Sequence, residues 1–285
     1  MPEPTRRAWL VTAAGLAGVA AGAGLAGCAT PTPDGAAHGS GETAGAPPAT
    51  PPATPHATPP ATPPATQVVA FSEALPGAAP AGWHSYAMRR DVKHTRYAVV
   101  RDGAHHVLHA RAAASATGLR CTVLIDPAQF GQLRFSWRVR DVPDQADVAV
   151  AEHDDCPARL ILAFGGDDAR LPLRDRLFFE QVELFTGQRL PFATLMYVWD
   201  GGRQAIESVH RNHRTARIQY LTVESGAQRA GGWLRYQRDV VADYRRVFGE
   251  APGPIIGVGV LTDADALKCD MEAWYGDIAL SALPA

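Results

Sequence analysis

The stretch Phe135–Phe164, FSWRVRDVPDQADVAVAEHDDCPARLILAF, decides the fold of this chain and the place of its candidate site. The apolar segments Leu133–Val139 and Ala158–Phe164 lie at its two ends. Such segments favour strands packed into a buried sheet. The loop between them favours water, a cation or a polar ligand, because six carboxylates are costly to bury: Asp141, Asp144, Asp147, Glu152, Asp154 and Asp155. We therefore expect part of any binding site to lie in this loop.

The first 27 residues have the pattern of an export signal, with an arginine pair before an Ala/Gly-rich apolar run. The segment Thr5–Leu10 resembles a twin-arginine signal, and the alternative is a chance arginine pair in an ordinary secretory signal. Leu25-Ala26-Gly27-Cys28 matches a bacterial lipobox, which predicts that Cys28 is lipidated. Acyl chains on Cys28 would then anchor the protein to a membrane, because a short Gly-rich run spans a bilayer poorly. A non-lipidated signal or an uncleaved helix is the alternative.

Residues 28–66 are rich in Pro, Ala and Thr, with the recurrent unit Ala-Thr-Pro-Pro. This composition has no apolar periodicity that could offset the entropy of ordering, so it predicts a disordered stalk biased to polyproline II. The remaining residues, 67–285, are enough for one β-sandwich domain with its own core. Localisation in the bacterial cell envelope follows, with this domain periplasmic or extracellular.

The charge balance excludes one class of partner. The chain has a formal net charge of −2, and acidic and basic residues are nearly equal in number beyond residue 66. A nucleic-acid-binding domain has a basic face, so no nucleic-acid partner is expected.

Short β-type segments separated by Gly, Pro and Asp dominate residues 67–285. Asp102-Gly103 predicts a hairpin turn between two of them. No regular alternation of strands and helices runs through the chain, so we predict an all-β fold, an antiparallel two-sheet β-sandwich. The predicted strands are Val68–Phe71, Tyr97–Arg101, His106–Ala110, Leu119–Ile125, Leu133–Val139, Arg159–Phe164, Leu195–Trp199, Arg217–Glu224, Ile255–Thr262 and Trp274–Ser281.

Two helical insertions are expected in the sandwich. The segment Leu173–Thr186 has loosely helical apolar spacing and ends before Gly187. The segment Trp233–Phe248 places aromatic and valine residues at three- and four-residue steps and is followed by Gly249.

An ordered set of motifs in residues 67–285 resembles the bacterial family known as domain of unknown function 3047 (DUF3047). The resemblance implies an exported protein with a sandwich of jelly-roll type and brings no reaction with it. Its order and spacing are more specific than any single motif. The motifs are Ser136-Trp137-Arg138-Val139, Asp154-Asp155 with Arg159, Tyr197-Val198-Trp199, Arg238-Asp239-Val240 with Asp243-Tyr244, Phe248-Gly249, Thr262-Asp263-Ala264-Asp265 and Tyr275-Gly276-Asp277-Ile278.

A weaker resemblance links the two ends of the domain to carbohydrate-binding jelly-roll modules. Phe71-Ser72-Glu73 and Gly82-Trp83 carry it near the start, and Gly276–Leu280 carries it at the end. In those modules an acid near the first strand and an acid in the last strand share a structural calcium, which implies Glu73 and Asp277 as metal ligands here. Glu73 lies one residue later than the usual Phe-Glu pair.

Calcium is also the cofactor that the acidic loops themselves favour, because it takes six to eight oxygen ligands. Asp154-Asp155 and Asp263-Ala264-Asp265 are the best sources. The alternative is solvated loops with an ion pair between Asp155 and Arg159. No transition-metal site is expected, because His105 and His109 share a strand face that His106 does not.

The cysteines and tryptophans add two expectations. Cys156 and Cys269 each lie beside an acidic loop, and a disulfide between them would join the loops; three unpaired buried cysteines are the alternative. Most strand tryptophans belong to the core. Trp199 is our candidate for stacking on a ligand, because Asp200-Gly201-Gly202 places it at a strand end.

These patterns predict a lipid-anchored envelope protein whose sandwich binds a polysaccharide or cell-wall glycan. A hydrolase acting on such a polymer through Asp154, Asp155, Asp239 or Asp263 is one alternative, and a non-catalytic envelope scaffold is another. No Gly-x-Ser-x-Gly elbow occurs, and no residue is assigned a catalytic role. The candidate ligand-binding residues are Trp199, Asp154, Asp155, Arg159, Asp239, Asp263 and Asp265.

Overall fold

Thirteen strands and two α-helices form the part of the chain that the computed structural model describes, residues 67–77, 79–87 and 91–283. Cys28, the export signal and the stalk lie outside these residues. The helices are α1 (Leu173–Thr186) and α2 (Val240–Phe248), and a short 3-10 helix covers Asp168–Arg170. The strands are β1 (Trp83–Ala87), β2 (Arg96–Asp102), β3 (His105–Ala113), β4 (Thr117–Ile125), β5 (Gln132–Val139), β6 (Cys156–Phe164), β7 (Ala193–Asp200), β8 (Val209–Arg211), β9 (Ile218–Ser225), β10 (Leu234–Asp239), β11 (Ile255–Asp263), β12 (Asp270–Tyr275) and β13 (Ala279–Ser281).

The strands form two sheets, which confirms the predicted β-sandwich of jelly-roll type with two helical insertions. The large sheet has the order β1-β4-β11-β6-β7-β9-β8, and the small sheet has the order β10-β5-β12-β3-β2, with β13 pairing with β5. The pairing is antiparallel except between β7 and β9, which run parallel. Between β7 and β9 the chain runs back as the edge strand β8, which pairs antiparallel with β9, so β7 and β9 run in the same direction.

Strand β6 shows how the large sheet is buried on both faces. Leu160, Leu162 and Phe164 belong to the sandwich core. Ile161 is buried on the opposite face, although strand alternation points it away from the core. A strand covered on both sides is apolar without interruption, and the outer face of this sheet carries the candidate site.

The hairpin and the first helix agree with the predictions. Asp102 pairs with His105 around a turn in which Gly103 has φ = 60°, a left-handed conformation that glycine adopts without steric cost. Helix α1 has the predicted bounds and ends at Gly187, also left-handed with φ = 73°.

The second predicted helix, Trp233–Phe248, is wrong in its first half. Residues 234–239 form β10, which pairs with β5 and stacks Tyr236 on Phe135 with 5.0 Å between ring centroids. The Asp239 side chain accepts a hydrogen bond from the Ala242 amide at 3.0 Å and so caps the N-terminus of α2. The helical spacing of Trp233 and Tyr236 was therefore coincidental, since pairing with a sheet edge outweighs weak local propensity.

Two further strand predictions need correction. Residues 68–71 are not a strand, and Phe71 instead packs its ring on Trp83 of β1, with 4.8 Å between centroids. The segment 274–281 is split into β12 and β13 at Gly276, where a side chain would collide with Ser136. Within the described residues, neither helix has the length and apolar character needed to cross a membrane.

Candidate functional site

A cleft of about 550 Å³ lies on the outer face of the large sheet. Its floor is built from outward-facing residues of β6, β7 and β11, which include Ile161, Ala163 and Met196. One wall comes from α1 through Phe178 and Val182. The other walls come from the segments 188–191, 212–214, 151–154 and 265–268.

Two glycines of β11 deepen the floor of the cleft. Gly257 and Gly259 line it between the side chains of neighbouring strands. A Cβ on Gly257 would lie 3.5 Å from the Ala163 Cβ, which is an ordinary contact, so a side chain there would project into the cleft without backbone strain. The absence of side chains at these two positions therefore opens the cleft.

Arg159 is the charged centre of the cleft, and its side chain is only 3% exposed. Its guanidinium donates to the backbone and side-chain oxygens of Asp154 and lies 3.5 Å from Asp263 Oδ2. The guanidinium carbon lies 5.4 Å from the centroid of the Tyr220 ring. Burial by itself lowers the pKa of Arg159, but Asp154 and Asp263 outweigh it and hold that pKa above its ordinary value. Arg159 is therefore a permanent buried cation.

Three buried polar atoms among the cleft residues have no hydrogen-bond partner within the described part of the chain. They are the Tyr86 hydroxyl, Arg159 Nε and Asp263 Oδ1. Burial raises the pKa of the Tyr86 hydroxyl, which stays neutral and able to both donate and accept. A buried polar atom without a partner costs about 1–3 kcal/mol, so these atoms favour a polar molecule in the cleft.

A cluster of carboxylates closes the end of the cleft beside Arg159. One carboxylate oxygen from each of Asp155, Asp263 and Asp265 lies within 4.8 Å of the others. Asp155 is fully buried and accepts hydrogen bonds from the amides of Ala266 and Leu267 at 3.0 and 2.7 Å. Burial raises the pKa of the Asp263 carboxyl, while Arg159 acts in the opposite direction. Asp155 thus ties the acidic loop to the loop between β11 and β12.

The structure brings five predicted ligand-binding residues together at this end of the cleft: Asp154, Asp155, Arg159, Asp263 and Asp265. The ion pair between Arg159 and Asp155, which was the alternative to a calcium site, does not form. Arg159 pairs with Asp154 and Asp263 instead, and both Asp155 oxygens accept backbone amides. The binding role of these residues stays a prediction.

The prediction that Trp199 faces a ligand is wrong. Trp199 is fully buried, and its indole N–H donates to the Gly226 carbonyl at 2.9 Å. The side chain of Asp239, another predicted ligand-binding residue, caps the N-terminus of α2 by accepting the Ala242 amide. Asp277 accepts hydrogen bonds from the amide and hydroxyl of Ser72, one residue before the exposed Glu73. Asp277 is therefore hydrogen-bonded to Ser72, at the position where a calcium ion shared with Glu73 was predicted.

The predicted disulfide between Cys156 and Cys269 is absent from the described residues, where Cys121, Cys156 and Cys269 are free thiols. Cys156 is fully buried and donates to the Trp199 carbonyl at 2.8 Å. Burial raises the pKa of its thiol to about 12, so Cys156 is an unreactive part of the core.

Sequence reasoning missed the uncharged residues of the cleft. Tyr86 lies on β1, which was not predicted, and its ring lies directly over Gly118 of β4. Tyr220 donates to Asp154 at 3.4 Å. The signal that could have indicated this face is the continuous apolar run 160–164 that follows Arg159 in β6, since a sandwich strand with one solvated face alternates instead.

A second group of planar side chains lies on the outer face of the small sheet. His109 stacks on Trp274 at 4.7 Å, and the Arg138 guanidinium lies 4.3 Å from Trp274 and 5.3 Å from Trp233. Burial lowers the pKa of His109, although Glu272 acts in the opposite direction. His109 Nε2 lies 3.6 Å from Glu272 Oε2 and has no hydrogen-bond partner within the described part of the chain.

Comparison with known families shows which family the chain belongs to. The sequence profile of the family described as "Protein of unknown function (DUF3047)" matches residues 81–279, which is well over half of the chain. The chain belongs to this family. The predicted resemblance to DUF3047 is thereby confirmed, and no curated protein matches the sequence.

Solved structures similar to this DUF3047 protein are distant. An arabinose-bound α-L-arabinofuranosidase is 11% identical over 76% of this chain with a TM-score of 0.34, and the match spans about a quarter (26%) of that enzyme. A mutant of the family 29 carbohydrate-binding module CBM29-2, complexed with mannohexaose, is 12% identical over 76% of this chain and 93% of its own, with a TM-score of 0.31. The adhesin domain of Lys-gingipain from Porphyromonas gingivalis w83 is 10% identical over 76% of this chain and 99% of its own, with a TM-score of 0.35. Scores of this size leave the ligand to be argued from the cleft itself.

Proposed function

We propose that this DUF3047 protein binds a polysaccharide or cell-wall glycan in the cleft on the outer face of the large sheet. The observation that carries the proposal is the set of three unpartnered polar atoms of Tyr86, Arg159 and Asp263 in one cleft. Arg159 Nε can only donate, the Asp263 oxygen accepts when the carboxyl is ionised and can also donate when it is protonated, and the Tyr86 hydroxyl can do both.

A sugar suits this combination because each of its hydroxyl groups both donates and accepts. The apolar part of the cleft suits it as well, since the C–H faces of a sugar ring pack on side chains such as Phe178, Met196 and Tyr220. A volume of about 550 Å³ lies in the range of small-molecule sites, so the cleft is large enough for a short segment of a glycan chain.

The envelope location of this glycan-binding domain is part of the same proposal. The lipobox ending at Cys28 supports a lipid anchor, and the Pro-rich stalk that follows supports a domain held away from the membrane. Metabolic labelling with a fatty acid tests the anchor. Label that is lost in Cys28→Ser supports it, whereas equal label in both proteins refutes it.

The test of the glycan proposal is a glycan-array screen of the protein, repeated with calcium and with a chelator. Gly257→Leu fills the floor of the cleft without a backbone clash and is expected to abolish binding. Gly232→Leu is the matched control, because the atom nearest to a Cβ there is 3.7 Å away and Gly232 is exposed outside the cleft. Binding by the control but not by Gly257→Leu supports the cleft.

Two outcomes would refute the proposal. The first is that the folded protein binds no glycan on the array, in which case ordered water satisfies the three atoms. The second is that Gly257→Leu binds as tightly as the unchanged protein, which would place the glycan elsewhere.

Hydrolysis of the bound polymer is a second candidate, favoured by the buried carboxyl of Asp263. A glycosidase needs an acid with a raised pKa in its cleft, and burial raises the pKa of Asp263. Release of reducing ends from a glycan found on the array, lost in Asp263→Asn at a glycan concentration that saturates this variant, would establish this activity. Binding without release by the unchanged protein would rule it out for that glycan.

A further inference from the structure

Acidic side chains cluster at the end of the cleft beside Arg159. Asp155, Asp263 and Asp265 each bring one carboxylate oxygen within 4.8 Å of the others, and Asp154 pairs with Arg159. Carboxylates this close repel one another in a site with little access to water, because the effective dielectric constant is low. A cation shared by the three clustered carboxylates would relieve this repulsion.

Asp263 has one oxygen paired and one oxygen left for such a cation. Oδ2 lies 3.5 Å from the Arg159 guanidinium, whereas Oδ1 is buried and without a partner in the described part of the chain. The residue as a whole is only 7% exposed, so solvent does not compensate. A buried carboxylate oxygen without a hydrogen-bond donor is best satisfied by a metal ion or an ordered water.

We propose that Asp155, Asp263 and Asp265 bind a divalent cation, and that this cation is Ca²⁺. Three carboxylate oxygens within 4.8 Å of one another can share one ion at the 2.3–2.6 Å distances typical of calcium. All three ligands are hard oxygen donors, which select calcium or magnesium over zinc or copper. Calcium also tolerates an irregular ligand set completed by water, whereas magnesium demands near-ideal octahedral geometry.

The ion would join two segments that are distant in sequence. Asp155 ends the acidic loop before β6, and Asp263 and Asp265 lie at the end of β11 and just beyond it. Asp155 already holds the amides of Ala266 and Leu267, so the ion would reinforce an existing contact. The ion would take Asp263 Oδ1, which is one of the three atoms that the glycan proposal offers to a sugar, but its binding requires no sugar in the cleft.

Calcium titration of the chelator-treated protein tests the inference, by calorimetry and by thermal unfolding at constant ionic strength. A Ca²⁺ concentration about 100 times Kd is expected to raise Tm by about 5–10 °C. Asp265→Asn is expected to remove both the binding heat and the rise in Tm. Asp277→Asn is the matched control and is expected to keep both, because Asp277 bonds to Ser72 at the other predicted calcium position.

Each outcome decides the proposal. Absence of binding heat and of a Tm change with Ca²⁺ in the unchanged protein refutes it, as does a response lost in Asp277→Asn but kept in Asp265→Asn. An equal Tm rise with Mg²⁺ would refute the choice of calcium. Because no glycan is present, failure here leaves the glycan proposal standing, and failure on the glycan array leaves this one standing.

Discussion

Replacing Arg159 by methionine tests whether the wall of the cleft is as desolvated as the structure indicates. Methionine keeps much of the length of the side chain but removes the guanidinium, so Asp263 loses its partner. The side chains of this pair are 3% and 11% exposed. Removing one partner of a buried pair costs about 3–5 kcal/mol, mainly because a buried charge is left uncompensated.

That cost is a large part of the total free energy of unfolding, which is about 5–15 kcal/mol for a domain. For a domain of this size it corresponds to a fall in Tm of about 6–20 °C. The double variant Arg159→Met with Asp263→Asn leaves no unpaired charge at this pair and is expected to recover much of the loss. The difference between the single and double variants is the coupling energy of the pair.

The assay is urea unfolding at neutral pH with a chelator present, followed by tryptophan fluorescence, since Trp137 and Trp199 are fully buried. Arg189→Met is the control, because Arg189 pairs with Asp168 on the surface and its side chain is 67% exposed. Its urea midpoint is expected to stay close to that of the unchanged protein. If Arg159→Met loses less than about 1 kcal/mol, as exposed pairs do, the reasoning about a desolvated cleft wall is wrong.

Three further predictions follow from single contacts. Gly118→Ala places a methyl group 2.6 Å from Cζ of the Tyr86 ring, so it is expected to displace that ring and to lower the free energy of unfolding by about 1–3 kcal/mol. Glycan binding is expected to weaken as well. Unchanged stability and binding would contradict the assigned position of the ring. Stability is expected to fall as the pH decreases below about 6.5, because the unfolded chain binds a proton at His109 before the folded state does. His109→Gln is expected to make this fall less steep, which urea midpoints at several pH values would measure. An unaltered slope in the variant would assign the pH dependence to another group. Trp199→Phe is expected to cost at least about 1–3 kcal/mol through the unpartnered Gly226 carbonyl, and an unchanged urea midpoint would be the contrary result.

Much of the fold could be predicted because the decisive signals are local. Gly187 and Gly249 end the helices in left-handed conformations, and Asp102-Gly103 makes a turn between adjacent strands. These features depend on backbone sterics within a few residues, so they can be read from the sequence. The strand β10 could not, because its pairing with β5 is a contact between residues about a hundred positions apart.

The candidate site was predictable only in its charges. Asp154, Asp155, Asp263 and Asp265 stand in two acidic loops that the sequence marks as polar. Their meeting around Arg159 depends on β6 and β11 being neighbours in the large sheet, with Asp263 in register with Cys156. Trp199 was assigned to the wrong face, because the alternation of a strand does not say which of its two faces the other sheet will cover.

The sequence by itself determined the class of the fold and the local turns, because apolar periodicity and backbone sterics act over a few residues. It also determined where the acidic loops lie along the chain. Only the tertiary structure decided that Gly257 and Gly259 open a cleft, that Tyr86 comes over Gly118, and that a buried arginine pairs with two carboxylates from segments distant in sequence. The physical reason is that burial and charge pairing depend on which strands become neighbours, and strand order is set by the whole core.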